Sequence, residues 1–263
     1  MSNTHRIWPV ARGFVCGLVI VYMLVPLAIV VIISFSSAPF LTFPPPGFSL
    51  QWYKAVLDPV WVDALMTSAI VMVPAASLAT TLGLGAALAL QRPGFPFAGP
   101  LRSLLMSPLV VPVIVTGAAT YGLFRFLGLQ GTRTGLVLAH AVLSIPYALA
   151  TISTSLQVVD PRLGQAAASL GSAPLHTFFF VTFPMIRAGV FSSFLFSLVI
   201  SFDELVVSLF ISSPEARPIT VQMWSNIRGD VDPTIAALAT LLFLFALVVL
   251  LVEAVFGNGQ ADK

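Results

Sequence analysis

Apolar residues in this chain do not alternate with polar ones; they run in long blocks separated by short polar stretches. Six blocks reach the roughly 20 residues that a helix needs to cross about 30 Å of hydrocarbon. They lie near residues 13–36, 64–90, 104–124, 135–156, 187–211 and 234–257. Continuous hydrophobicity without a period of two predicts helices rather than a barrel, because a backbone in lipid must satisfy its N–H and C=O groups within the segment. The first block follows Arg6 and Arg12, as the apolar part of a signal peptide would, but it is longer than the usual 7–15 apolar residues and no clear cleavage site follows. It therefore reads as a retained helix. The pattern predicts an all-α membrane protein of about six transmembrane helices: an N-terminal segment 1–12, one transmembrane domain over 13–257 and a tail at 258–263.

Some blocks carry internal marks. Ala75, Ala79, Gly83 and Ala87 recur at every fourth position, a stripe of small residues that lets helices approach closely in lipid. Internal packing and a dimer seam both fit the stripe, and internal packing is the simpler use. Pro108, Pro112 and Pro146 remove backbone donors and predict kinks. Asp203 and Glu204 stand inside the fifth block, where insertion of a charge costs about 2.5–3.5 kcal/mol at mid-span. Either they line a route for a cation, or both sit at an interface where water reaches them. Adjacent helical residues point about 100° apart, so the two need not act together.

Composition narrows the class. Of 263 residues, 58% are hydrophobic and 8% charged, and the mean hydropathy is +1.00, which places the chain in a bilayer. A net charge of +2 without a basic run excludes nucleic acid as a partner. Cys16 stands alone and supports neither a disulfide nor a cysteine metal site. With the N-terminus in the cytoplasm, Arg6, Arg12, Arg92, Arg102, Arg162, Arg187 and Lys263 fall inside, against Lys54, Arg125, Arg133, Arg217 and Arg228 outside. The outer segments also carry Asp58, Asp63, Glu215, Asp230 and Asp232, which leaves them near neutral. An N-in, C-in orientation follows.

The stretch GQAAASLGSAPLHTFFFVTFP, Gly164–Pro184, departs from its apolar surroundings. Asp160 followed by Pro161 predicts a helix start, and Gly171 its end. About ten residues, roughly 15 Å, cannot cross a bilayer. Leu163, Ala166, Ala167 and Leu170 share one small, apolar face at i, i+3, i+4, i+7 spacing. Two uses fit: a capped connector packed on the protein's own end, or a docking helix for a separate cytoplasmic protein.

These residues resemble the cytoplasmic loop of permease subunits of ABC importers, in which Glu-Ala-Ala is followed after three residues by Gly and, about a dozen further on, by an aliphatic-x-Leu-Pro ending. Here Gln165-Ala166-Ala167, Gly171 and Val181-Thr182-Phe183-Pro184 hold the corresponding places. Gln165 replaces the usual Glu and Phe183 the usual Leu, so position 165 keeps hydrogen-bonding capacity but cannot pair ionically with a basic residue. Ser201-Phe202-Asp203-Glu204, Val221-Gln222-Met223-Trp224 and Asp232-Pro233-Thr234-Ile235-Ala236-Ala237 resemble the spermidine/putrescine permease group. The resemblance covers roughly residues 60–257.

What the resemblance implies is a type I ABC importer permease of a bacterial inner membrane, with a cytoplasmic coupling helix at 160–172. It implies a second permease subunit, a cytoplasmic ATPase dimer and an extracytoplasmic substrate-binding protein as partners. Gln165, Ala166, Ala167, Leu170, Gly171 and Pro184 then couple the chain to the ATPase, while Asp203 and Glu204 are candidates for the cargo route. Trp224 is either an interfacial anchor or a contact for the binding protein. The cargo implied is a polyamine; opines and aminophosphonates are carried by relatives of the same arrangement.

Chemistry outside transport finds little support. The chain has no glycine-rich phosphate loop followed by Lys and Ser/Thr, and no nucleophile with a paired base, so it predicts neither ATP hydrolysis nor another enzymatic activity, and no cofactor. His140 and His176 lack metal-ligand spacing and read as hydrogen-bonded structural residues. The rival class is an ion-coupled secondary transporter with Asp203 or Glu204 as ion carrier, against which stands the lack of an apparent inverted repeat. A membrane-embedded enzyme is a weaker third.

Overall fold

Where the sequence runs apolar without alternation, the backbone is helical. The computed structural model describes residues 4–92, 94–229 and 232–257, with side chains from Arg12 to Val248. The predicted tail 258–263, the first three residues of the predicted N-terminal segment, and Asp230 lie outside the described residues. In chain order the helices are α1 (Thr4–Ser34), α2 (Gln51–Ala55), α3 (Pro59–Leu90), α4 (Ala98–Val110), α5 (Val113–Leu127) and α6 (Arg133–Gln157). There follow α7 (Pro161–Ser169), α8 (Pro174–Thr177), a π turn at Phe178–Thr182, α9 (Phe183–Asp203), α10 (Val206–Ile211), α11 (Ile219–Arg228) and α12 (Thr234–Gly257).

Among the described residues, four continuous segments are long and apolar enough to span a bilayer: Arg12–Ser34, Pro59–Leu90, Arg133–Gln157 and Pro174–Asp203. The block expected as one helix at 104–124 is instead two, α4 and α5, which pass that test together but meet at 107°. The cause is local: Pro112 has no N–H to continue the ladder, and it holds Val111 in an extended conformation, φ −74° and ψ 129°. Pro108 and Pro146, by contrast, stay within α4 and α6. The block expected at 187–211 starts earlier and breaks at Glu204, so that its last part is the separate helix α10.

Two compact units form. One gathers the residues up to Val62 with those from Met223 onward, and the other is Asp63–Gln222. In the first, α1 and α2 both pack on α12. The loop after α1 folds back on α2: the Trp52 indole donates to the Ser36 carbonyl at 2.8 Å, and the Tyr53 and Ser34 hydroxyls meet at 2.7 Å. From Phe14 to Val25, α1 presents its apolar side chains outward, as a helix against lipid does.

In the second unit, α6 is the central helix and α9 its main neighbour. Leu136, Leu149, Ile152 and Leu156 are buried along α6, in two apolar clusters. The stripe of small residues in α3 serves this packing: Ala75, Ala79 and Ala87 are buried, and a methyl group at Gly83 would stand 2.8 Å from Ala148 Cβ. The α9 face that carries Gly189, Ser193, Ser197 and Ser201 at four-residue intervals uses the same device, and its three serines are buried. A methyl group at Gly189 would collide with Ser155 of α6. Close backbone approach to α6 is thus built from small residues on both α3 and α9.

Candidate functional site

The predicted coupling segment is a short helix with both ends chemically closed. The Asp160 carboxylate accepts from the Arg162 amide at 2.9 Å, and Pro161 opens α7 where a missing N–H removes nothing. At the other end Gly171 adopts φ +84°, and the Ser172 amide donates to the Ala167 carbonyl at 3.0 Å, a six-to-one glycine terminus. Such caps satisfy the end groups of a helix only nine residues long. That matters here, because no residue of α7 is buried. Gln165 and Ala166 are exposed, Ala167 is half-buried, and Leu170 stands 89% exposed just beyond the helix.

Pro184 has a structural consequence that its place in the motif does not announce. Without an N–H it cannot bond four residues back, and the turn before it widens: the Phe183 amide donates to the Phe178 carbonyl five residues earlier, forming the π turn. This turn joins α8 to α9, so the segment after α7 continues directly into a long apolar helix. It is braced locally, with His176 stacked on Phe180 at 4.2 Å and its Nδ1 3.3 Å from the Ser172 hydroxyl.

The second candidate region is the end of α9. The helix stops at Asp203, which is exposed, and Glu204 leaves the helical path with ψ 108°. The half-buried Glu204 carboxylate turns forward and accepts the Val207 amide at 2.7 Å, capping α10. Its carbonyl accepts two hydroxyls, Ser208 at 3.0 Å and Thr220 at 3.2 Å. The two acids therefore differ in use: Glu204 shapes the break, whereas Asp203 faces outward. The carbonyls in the last turn of α9 have no intrahelical donors and carry the negative end of the helix dipole. Asp203 adds a carboxylate there, so the break forms an electronegative locus.

His140 of α6 reaches this region as well. It is buried, with one ring nitrogen 2.9 Å from Ser201 Oγ and the other 2.9 Å from Ser208 Oγ. The sequence pattern predicts a hydrogen-bonded structural role for it but not these partners, which lie 61 and 68 residues away. A separate cleft of about 450 Å³ between α3 and α9 is lined by Ser77, Thr80, Arg187 and phenyl rings including Phe191. It carries a guanidinium and no carboxylate, which makes it a poor seat for a cation.

Trp224 in α11 is partly exposed, with the Arg228 guanidinium 5.6 Å from its ring centroid. In the turn before α11, bonds from the Glu215 amide and the Ser213 hydroxyl hold the exposed Glu215 carboxyl below the usual carboxylate range. Among the described residues no group of three or more His, Cys, Asp or Glu side chains is arranged to hold a metal ion.

Comparison with known proteins adds an independent line. The model of the family described as binding-protein-dependent transport system inner membrane component matches residues 79–258. The putrescine transport system permease protein PotI of Escherichia coli (strain K12) is 34% identical over 229 residues, 84% of this chain and 81% of that one. The spermidine/putrescine transport system permease protein PotC of Haemophilus influenzae is 30% identical over 228 residues, 86% of this chain and 88% of that one. In fold, the chain is similar to a chain of a bacterial ABC transporter involved in the import of the acidic polysaccharide alginate. The TM-score is 0.73 at 15% identity, covering 98% of each chain.

Proposed function

We infer the function from one premise: the chain belongs to the family of binding-protein-dependent transport system inner membrane components. It is a multi-pass inner-membrane permease, one subunit of an ATP-driven importer, and not an enzyme. Its partners are a second permease subunit, a cytoplasmic ATPase dimer and an extracytoplasmic substrate-binding protein. Nucleotide chemistry and substrate capture belong to those chains.

The cargo is a small cationic amine, a polyamine such as putrescine or spermidine. Two observations support this reading: the similarity to PotI and PotC, and the electronegative end of α9 where Asp203 is exposed. A carboxylate next to a helix C-terminus attracts a cation, and both charges act more strongly where water is scarce.

The observation that carries the ATP-driven mechanism is α7: a capped, unburied helix with a small-residue face, set between two apolar helices. We assign it as the coupling helix, with Gln165, Ala166, Ala167, Leu170, Gly171 and Pro184 in the segment gripped by the ATPase. Docking through shape suits a face of alanines, and neutral Gln165 offers hydrogen bonds in place of an ion pair. This assignment requires the N-terminus in the cytoplasm, in agreement with the distribution of Lys and Arg. Trp224, stiffened by Arg228, is assigned to contact with the binding protein.

Uptake by the reconstituted importer tests the reading. Putrescine accumulation stops when the ATPase is inactivated and survives a protonophore. Accumulation that follows the proton gradient instead assigns the chain to ion-coupled carriers.

A further inference from the structure

His140 has a partner on each ring nitrogen, and the break between α9 and α10 lies between those partners. Nδ1 is 2.9 Å from Ser201 Oγ in the last turn of α9, and Nε2 is 2.9 Å from Ser208 Oγ in α10. With the Ser208 proton placed on the Glu204 carbonyl, proton accounting points to one form of the ring. The Ser208 hydroxyl donates to the Glu204 carbonyl at 3.0 Å, and a carbonyl only accepts. Ser208 has no second proton to offer, so Nε2 is the donor in their contact. In the neutral ring Nδ1 is then bare, and the Ser201 hydroxyl donates to it. One tautomer satisfies every member. The relay runs from Ser201 through His140 to Ser208 and ends on the Glu204 backbone, at the point where the helix stops.

We propose that His140 is a positioning residue for transport: by holding Ser201 and Ser208 together it fixes the break, shaped by Glu204, that places Asp203 before the cargo. The proposal rests on the reading of that break as the cargo site. Among the described residues, the carboxylate of Glu204 accepts from the α10 side, at Val207, so it does not tie the two helices together as the ring does. The ring is buried and remote from solvent, so its effect on the cargo is indirect, through the placement of Asp203.

The assembled importer in proteoliposomes, with putrescine and spermidine as probes, provides the test. His140→Ala and Ser208→Ala each raise the uptake KM about fivefold, the scale of one hydrogen bond, while the complex assembles in normal yield. The double variant matches the worse single one, because both changes cut the same relay. His140→Gln, which keeps a donor toward Ser208, restores most of the loss. In ¹⁵N-histidine-labelled importer, the His140 signals, assigned by their disappearance in His140→Gln, show an Nε2–H ring. Unchanged KM in both single variants, losses that multiply in the double variant, or an Nδ1–H ring overturns the proposal. If His140→Ala does not assemble, Ser201→Ala and Ser208→Ala decide it, since each removes one link and leaves the ring in place; unchanged KM in both overturns it. If the wild-type importer takes up neither probe, the amine reading fails by itself. The positioning role is then upheld by an Nε2–H ring together with loss of binding-protein-stimulated ATP hydrolysis in Ser208→Ala, and overturned when either is absent.

Discussion

Glu204 Oε1 lies 2.7 Å from the Val207 amide nitrogen, so the acid at the break in the fifth apolar block caps the helix that follows instead of standing free. Its neighbour Asp203, at the end of α9, is exposed. Two adjacent carboxylates are thereby given different work by the backbone turn between them.

The first prediction separates them. Asp203→Asn removes the exposed charge and raises the KM for putrescine about tenfold, about 1.4 kcal/mol. Glu204→Gln retains an acceptor for the Val207 amide and shifts KM less. Glu204→Ala deletes the cap, costs about 1 kcal/mol of local stability and lowers the yield of the complex. Uptake kinetics and yield from the same preparations check all three, and a larger KM effect from Glu204→Gln than from Asp203→Asn contradicts the assignment.

Gly171 gives the second. At φ +84° a side chain is strained by roughly 1–2 kcal/mol, while the space around its Cβ position is open. Gly171→Leu therefore acts through the backbone alone: the glycine terminus is lost, α7 extends, and the ATPase no longer docks. Co-purification of the ATPase falls and uptake with it, while thermal unfolding of the permease in detergent changes little. Gln165→Glu, at an exposed position, leaves stability within about 0.5 kcal/mol and alters only ATPase affinity, read by binding to the purified ATPase.

A third prediction concerns packing. In Gly83→Ala the new methyl group meets Ala148 Cβ at 2.8 Å and the Leu149 amide nitrogen at 3.1 Å, so α3 must move off α6 at a cost of about 1–3 kcal/mol. Gly85→Ala, two residues away with nothing within 4 Å, is neutral or slightly stabilising through helix propensity. Paired melting curves in detergent decide this, and equal melting temperatures for the two variants contradict the close approach.

What the sequence made legible followed locality. The ends of α7 were readable because Asp160-Pro161 and Gly171 set their own backbone through short-range chemistry. The stripe Ala75 to Ala87 announced a close contact but not its partner, since a four-residue repeat defines a face and not a neighbour. The bend at Pro112 and the break at Glu204 were hidden inside uniform hydrophobicity, which registers length and not direction. At Pro112 the missing N–H was a signal, read as a kink where the chain in fact turns by 107°. At Glu204 the signal was weaker: an acid three residues before Val207, able to cap a new helix start. The partners of His140 were beyond reach, because only the folded chain brings α6 to Ser201 and Ser208.

The central claim is that α7 projects from the membrane domain and is held by the ATPase. Ala166, exposed on its small face, offers the direct measurement: Ala166→Cys in the assembled importer, paired with single cysteines along the surface of the ATPase subunit. The account predicts rapid cross-linking to the ATPase, with protection of the introduced thiol from a membrane-impermeant maleimide that labels it readily in the permease without ATPase. A thiol that stays fully reactive in the assembled complex and cross-links to no ATPase position would contradict it.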